Sequence, residues 1–401
     1  LWQWQTKQPV TQIQVDKEPR NLAFSGDGKW AYVTAQRAQT LCIINLQLSR
    51  CVQRIPVGGQ PVGIVLSATG TEAYVTQFSG DYFDDKYAPG ALAIIDLQQA
   101  RVRNRIPLAA RPFALARSMD DQSLWVSHYL GIQGRGLITE IDLQQESIRR
   151  TIPLVQDPDV SGGRGGIFTA VASLDIHPRF PRALVAGMHA NHKRGPTQSG
   201  RPLSHKTTAQ AAVAILDLDN GSELLDARIV SSFSGQAVAV PTAVAFLPDG
   251  KHFIDIYFAS HDLKVIRYNE RGLVAERALL ELPHGPDGIA ITADGQHGFI
   301  NARWDRQIAH LDLSDVRRPR IQSKVLKHNE TWSSQRIMGA RIFHNSRDPR
   351  MTPNRWLSCG VCHLDGGLQS DHLILSLIHI SEPTRRTPIS YAVFCFKTKR
   401  G

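Results

Sequence analysis

The sequence predicts an all-β chain, a β-propeller of six or seven blades with seven favoured, followed by a truncated, mainly α-helical domain. Three observations predict the propeller. A self-similar unit recurs through residues 18–326 with a period of about 45 residues, the spacing of blade-forming repeats. Each unit holds four short stretches of β-branched and aromatic residues bounded by Gly, Asp, Asn or Pro, as strands joined by hairpins demand. Turns such as "SGDGK", "LPDGK" and "TADGQ" carry Asp-Gly, which accepts positive φ at low cost. A four-stranded sheet of this kind buries its faces only against neighbours, so the units pack side by side and close a ring. A solenoid or a sandwich is the less favoured alternative.

Taken in order, the chain opens with "VTQIQV" (Val10–Val15), which reads like the last strand of a blade. It is expected to complete a seventh blade whose other strands are missing or degenerate. Six units follow. Their "YVT" element recurs as Tyr32-Val33-Thr34, Tyr74-Val75-Thr76 and Trp125-Val126-Ser127, and more loosely as Leu184-Val185-Ala186 and Phe299-Ile300-Asn301. Their "IDL" element recurs as Ile44-Asn45-Leu46, Ile95-Asp96-Leu97, Ile141-Asp142-Leu143, Leu216-Asp217-Leu218 and Leu311-Asp312-Leu313, with Ile266-Arg267-Tyr268 a divergent copy.

Two insertions break the period. Phe78–Gly90 brings Asp81, Asp84 and Asp85, a weak candidate for Ca2+ against a solvated acidic loop. Gly187–Thr208 brings His189, His192 and His205, which fit a metal, a haem edge or an acidic partner no better than a polar loop. His128, His177, His252, His261, His284 and His297 read as strand-end or surface residues.

Composition narrows the class. With 42% hydrophobic and 20% charged residues and no apolar run of about eighteen residues, the chain reads as soluble, without an integral membrane span. The formal charge is +10. Residues 375–401 hold five basic residues against Glu382, so this segment accounts for +4 and the rest of the chain carries +6. That charge is spread out, with no basic stripe interleaved with aromatics, so nucleic acid is a poor partner. Residue 1 is Leu, and the missing signal peptide does not argue for a cytoplasmic protein. Of five cysteines, Cys42 and Cys51 flank a predicted hairpin. A disulfide between them and a pair of buried free thiols are both open readings.

The chemistry concentrates in "WLSCGVCHLDGG" (Trp356–Gly367). Cys359-Gly360-Val361-Cys362-His363 is C-x-x-C-H, the attachment pattern of haem c. Thiols at i and i+3 lie on one face of a helical turn, so both can add to the vinyl groups at one porphyrin edge. The next residue, His363, is the axial ligand to the haem iron, and the second axial position decides between electron transfer and reaction with peroxide or oxygen. A half zinc site would need two further ligands, and a redox dithiol a βαβ setting. Met338, Met351, His344 and His372 are the nearby candidates for a second axial ligand, with none singled out. Met338 and Phe343 are expected to pack a helix.

The repeat unit resembles the YVTN family of β-propeller repeats over most of residues 18–326, which implies a periplasmic or extracellular propeller. The stretch from Gly339 to Asp371 resembles the opening of the bacterial dihaem cytochrome c peroxidase family. The matching positions are Gly339, Ile342-Phe343, Ser358-Cys359, Cys362-His363 and Asp365-Gly366, with Leu364 where that family often has Pro. The resemblance implies a cytochrome c domain, an electron-transfer protein partner and peroxidase-like oxidation of a partner, although a second C-x-x-C-H is missing from the sequence. Residues 375–401 resemble translated sequencing-adapter DNA. The expected organisation is therefore a propeller over 1–326, the N-terminal part of a cytochrome c domain over 327–374, and a non-native tail over 375–401. Catalytic residues, oligomeric state and substrate are not legible.

Overall fold

The computed structural model describes residues 2–3, 8–78, 89–131, 135–158, 166–191, 209–230, 237–269, 274–325, 333–349 and 358–362. Within them the chain forms six antiparallel sheets arranged as the blades of a propeller. The innermost strands are Pro19–Phe24, Pro61–Leu66, Pro112–Arg117, Ile167–Ile176, Pro241–Phe246 and Pro286–Ile291. From each, the next strands add outward in sequence order. In blade 4 two short segments, Ser222–Glu223 and Ile229–Val230, share the outer position.

The recurring residues have local reasons. The Asp-Gly turns place Gly28, Gly250 and Gly295 at φ +68°, +63° and +70°, where a Cβ would be strained. The aspartate of "IDL" closes a hairpin: Asp96 Oδ1 accepts the N–H groups of Gln98 and Gln99, both at 2.9 Å, and Asp142 Oδ1 those of Gln144 and Gln145. The threonine of "YVT" ties blades together. Thr34 Oγ1 accepts from Asn21 N in its own blade and donates to Val62 O of blade 2 at 2.7 Å. Thr76 repeats this, accepting from Gly63 N and donating to Phe113 O of blade 3, both at 2.8 Å. Ser127 accepts from Ala114 N in the same way. Replacing the buried Thr76 by Val is expected to strand the Gly63 N–H and cost about 1–3 kcal/mol, while Ser costs under about 1 kcal/mol. Urea unfolding of the two variants measures the difference.

The core lies between blades. One face of each sheet packs on the preceding blade and the other on the following one. Val244 and Phe246 of blade 5 pack with Leu184, Ala186, Val213 and Ile215 of blade 4. The opposite face of blade 5, with Ile254, Ile256, Leu263 and Val265, packs with Ile289, Ile291 and Ile300 of blade 6. Equivalent clusters join blades 1 and 2, 2 and 3, and 3 and 4.

Between blades 6 and 1 the pattern stops. The five other junctions pack innermost strand against innermost strand, and no comparable packing joins Pro286–Ile291 to Pro19–Phe24 among the described residues. Leu22 and Phe24, the repeat equivalents of Val244 and Phe246, are 54% and 55% exposed, against 5% and 8%. The facing side of blade 6 carries Asn301, His310 and Gln322 where blade 5 has Ile256, Val265 and Ala278.

The favoured count of seven blades is thereby corrected to six. Val10–Val15 forms no strand. Its alternation is instead used to lay Ile13 and Val15 over Ala31, Val33, Cys42 and Ile44 of blade 1, and Asp16 fixes it there through Thr40 and Arg54, each at 2.8 Å. Beneath this segment Cys42 and Cys51 form a disulfide with Cα atoms 6.0 Å apart, which settles the two readings of that pair.

Candidate functional site

Beyond the last blade, helix α1 (Ser334–His344) is capped by Ser333, whose side chain accepts from Arg336 N. Its basic last turn is drawn to the rim of blades 5 and 6. Arg341 reaches Asp305 Oδ1 at 2.7 Å and Trp304 O at 3.3 Å. The His344 ring stacks on the Trp304 indole, 5.0 Å between centroids and 15° between planes, and meets Phe258 edge-on at 5.2 Å. Gly285 has φ +74°, and a Cβ there would collide with the same indole. Past the helix, Ser346 N donates to Ala259 O at 2.9 Å. Arg347 bridges Asp262 at 2.5 Å and Glu281 at 3.1 Å.

This latch carries the cysteine motif. Cys359–Cys362 is a single helical turn, α2, and Gly360 lies flush on His344, because a Cβ at Gly360 would collide with His344 Nδ1. Ser358 is buried and Cys359 half-buried, and burial pushes the Cys359 thiol up. The helical turn puts positions 359 and 362 on one side, as two attachments to one ring edge require. The spacing of the two cysteines on this turn is that of the haem c attachment pattern. The Cys362 side chain, His363, Met351 and His372 lie outside the described residues.

Other expectations meet the structure unevenly. Met338 does not pack: it is 63% exposed and Ile342 37%, because the face of α1 turned toward the propeller is the one that carries Arg341 and His344. His128 is the strand-end residue expected, closing Ser123–His128, but it is fully buried, held by Ala110 O at 3.0 Å and Thr139 Oγ1 at 2.9 Å, and burial pushes it down to about 4. His177 is likewise buried, with Nε2 2.8 Å from Gly250 O. His189 lies in the strand Arg182–Ala190 and is buried. His192, His205, Asp81, Asp84 and Asp85 lie outside the described residues. Among the described residues no three His, Cys, Asp or Glu side chains gather as a metal-holding cluster, and no helix is long and apolar enough to cross a membrane. A cleft of about 850 Å³ between blades 1 and 2 is lined by Phe24, Trp30, Tyr32, Ile43 and Val52 among others and is not part of the blade 5–6 rim.

Sequence reading missed Trp304, Arg341 and Arg347. An isolated Trp in a blade turn and two arginines in a basic stretch carry no periodic signal; only the fold brings them together.

No family model matches the chain, and no curated protein matches it. Solved structures do. Hydrazine synthase of Kuenenia stuttgartiensis superposes with TM-score 0.63 at 14% identity, covering 81% of this chain and 89% of that one. The Cps50 β-propeller domain of Myceliophteria thermophila gives 0.56 at 8%, covering 80% and 91%. A functionally unknown protein of Desulfotomaculum acetoxidans gives 0.54 at 14%, covering 75% and 84%. At these identities the likeness is one of fold.

Proposed function

We propose that this chain is an exported c-type haem redox protein whose propeller is a docking platform for an electron-transfer partner. The observation that carries the reading is the seating of the Cys-x-x-Cys turn on the blade 5–6 rim through Gly360, His344 and Trp304. Cys359 and Cys362 would hold haem c by thioether bonds, and His363 would ligate its iron. The group, when bound, supplies one-electron chemistry. The chain's own part is to hold that segment against a rigid β scaffold: Arg341 and Arg347 anchor it, and the half-buried setting of Cys359 keeps its thiol protonated and unreactive until attachment. Met338 and Ile342 remain on an open helix face, where the rest of a cytochrome domain would pack. The Cys42–Cys51 disulfide supports a periplasmic or extracellular location, since such bonds persist in oxidising compartments. The similarity in fold to hydrazine synthase is compatible with redox work and does not specify it.

Peroxidase-like oxidation of a partner is the more ambitious form of this reading. The plainer form is a binding protein in which a single haem relays electrons. The chain produced in a host able to mature c-type cytochromes is expected to keep haem stain on a denaturing gel. Cys359→Ala with Cys362→Ala is expected to abolish the stain. A colourless product of unmodified mass would sink the redox assignment and leave a propeller scaffold.

A further inference from the structure

We propose that His261 and His284, at the junction of blades 5 and 6, form an open binding site for a divalent transition cation that favours imidazole nitrogen, of the Cu2+ or Zn2+ class. His261 sits in the turn between the second and third strands of blade 5, and His284 in the connection to blade 6. Their rings are 4.3 Å apart between centroids, tilted by 53°.

The hydrogen bonds fix which nitrogen of each ring is offered. His261 Nδ1 lies 3.0 Å from Phe258 O. The Gly285 N–H also approaches Nδ1, from 3.4 Å, but a carbonyl only accepts, so the shorter contact assigns the hydrogen to Nδ1 and leaves Nε2 with its lone pair. That Nε2 is buried in a side chain only 4% exposed and has no hydrogen-bond partner. His284 Nδ1 lies 3.0 Å from Asp305 Oδ2, so it donates to the carboxylate and again leaves Nε2 with a lone pair. Anchoring one ring N–H on a carbonyl or carboxylate is how metal-binding imidazoles are oriented. A buried ring nitrogen without a partner, beside a second imidazole, asks for a cation or a bridging donor. The His284 side chain is 39% exposed, which gives the ion a way in.

The nearby guanidinium groups are each held by carboxylates, although Arg347 still acts on the His261 ring. Arg341 is paired with Asp305, and Arg347 with Asp262 and Glu281. Imidazole suits Cu, Zn and Ni. With two protein donors, the remaining coordination positions fall to water. The site is independent of the haem reading.

The test is Cu2+ titration of the chelator-treated chain, followed by calorimetry and electron paramagnetic resonance. We expect a site with nitrogen hyperfine structure, weakened about tenfold or more by His261→Ala and by His284→Ala, and unchanged by His252→Ala. His284 can be replaced without opening the core, so its variant decides the matter even if His261→Ala fails to fold. Wild-type-like Cu2+ binding by His284→Ala, or no binding by the wild type, overturns the proposal.

Discussion

Replacing Phe246 by alanine is expected to destabilise the propeller by about 3–5 kcal/mol, whereas the same change at Phe24 is expected to cost less than about 1 kcal/mol. The two residues occupy the same repeat position. Both end the innermost strand of a blade, opposite the first residues of the second strand: Phe24 pairs with Ala31 and Phe246 with Phe253. Identity and local conformation are therefore held constant, and the difference is burial alone. Phe246 is 8% exposed and packs edge-on against Phe253, Tyr268 and His177, with centroids at 6.0, 5.6 and 4.8 Å. Removing it deletes apolar contact and leaves a cavity in a junction that blade 4 cannot move to fill. Phe24 is 55% exposed, so there is little contact to lose. Guanidinium denaturation of the two variants measures the contrast. Equal losses would mean that the face of blade 1 is covered after all.

The second large effect concerns the latch. Arg347→Ala leaves Asp262, 1% exposed, without its guanidinium partner. Breaking such a buried pair from one side costs about 3–5 kcal/mol while the carboxylate stays ionised. Burial pushes Asp262 up to about 6 even with Arg347 present, so the proton is held more tightly in the folded state than in the unfolded one. A raised carboxylate value means that the folded state binds more protons, and stability falls as pH rises from about 4 through about 6. Without Arg347 the value rises further. The Arg347→Ala defect is therefore small at pH 5, where Asp262 is neutral, and large at pH 8, where ionisation is forced on it. Limited proteolysis within residues 326–357 across that pH range reads the release of the helix. Cleavage insensitive to both pH and the substitution would show that the ion pair does not hold the latch.

Much of this fold is written in the sequence, and the reason is repetition. Thr34 and Thr76 do the same job in successive blades and Ser127 repeats its in-blade half, as Asp96 and Asp142 repeat theirs in hairpins, so weak local signals reinforce one another along the chain. Asp-Gly turns with positive φ at Gly28, Gly250 and Gly295 are legible because few other residues tolerate that conformation. Blade count is different in kind. Val10–Val15 has the alternation of a strand, but alternation reports only that one side is covered. It does not say whether the backbone pairs with a neighbour, and here Ile13 and Val15 are covered without a sheet. The cysteine motif is legible because its spacing is chemical. Its seat is not, since Trp304, His344 and Gly360 lie far apart along the chain with no pattern between them. Nor is the burial of the histidines: nothing in the sequence tells His128, a strand-end residue wholly enclosed, from an exposed one.

The unsealed junction between the last and first blades changes the mechanics of the whole body. A split washer yields to twisting far more readily than an intact one, and an array of stacked units with two loose ends unravels from those ends inward. Blades 3 and 4, flanked on both sides, form the stiff middle. Blade 1, stapled by its sulfur bridge and strapped by Ile13 and Val15, is reinforced on the side where, among the described residues, no blade packs on it. At the other end blade 6 is strapped by α1, the segment that leads to the cysteines. Anything that pries that segment away also loosens the terminal blade beneath it, so the two would breathe together.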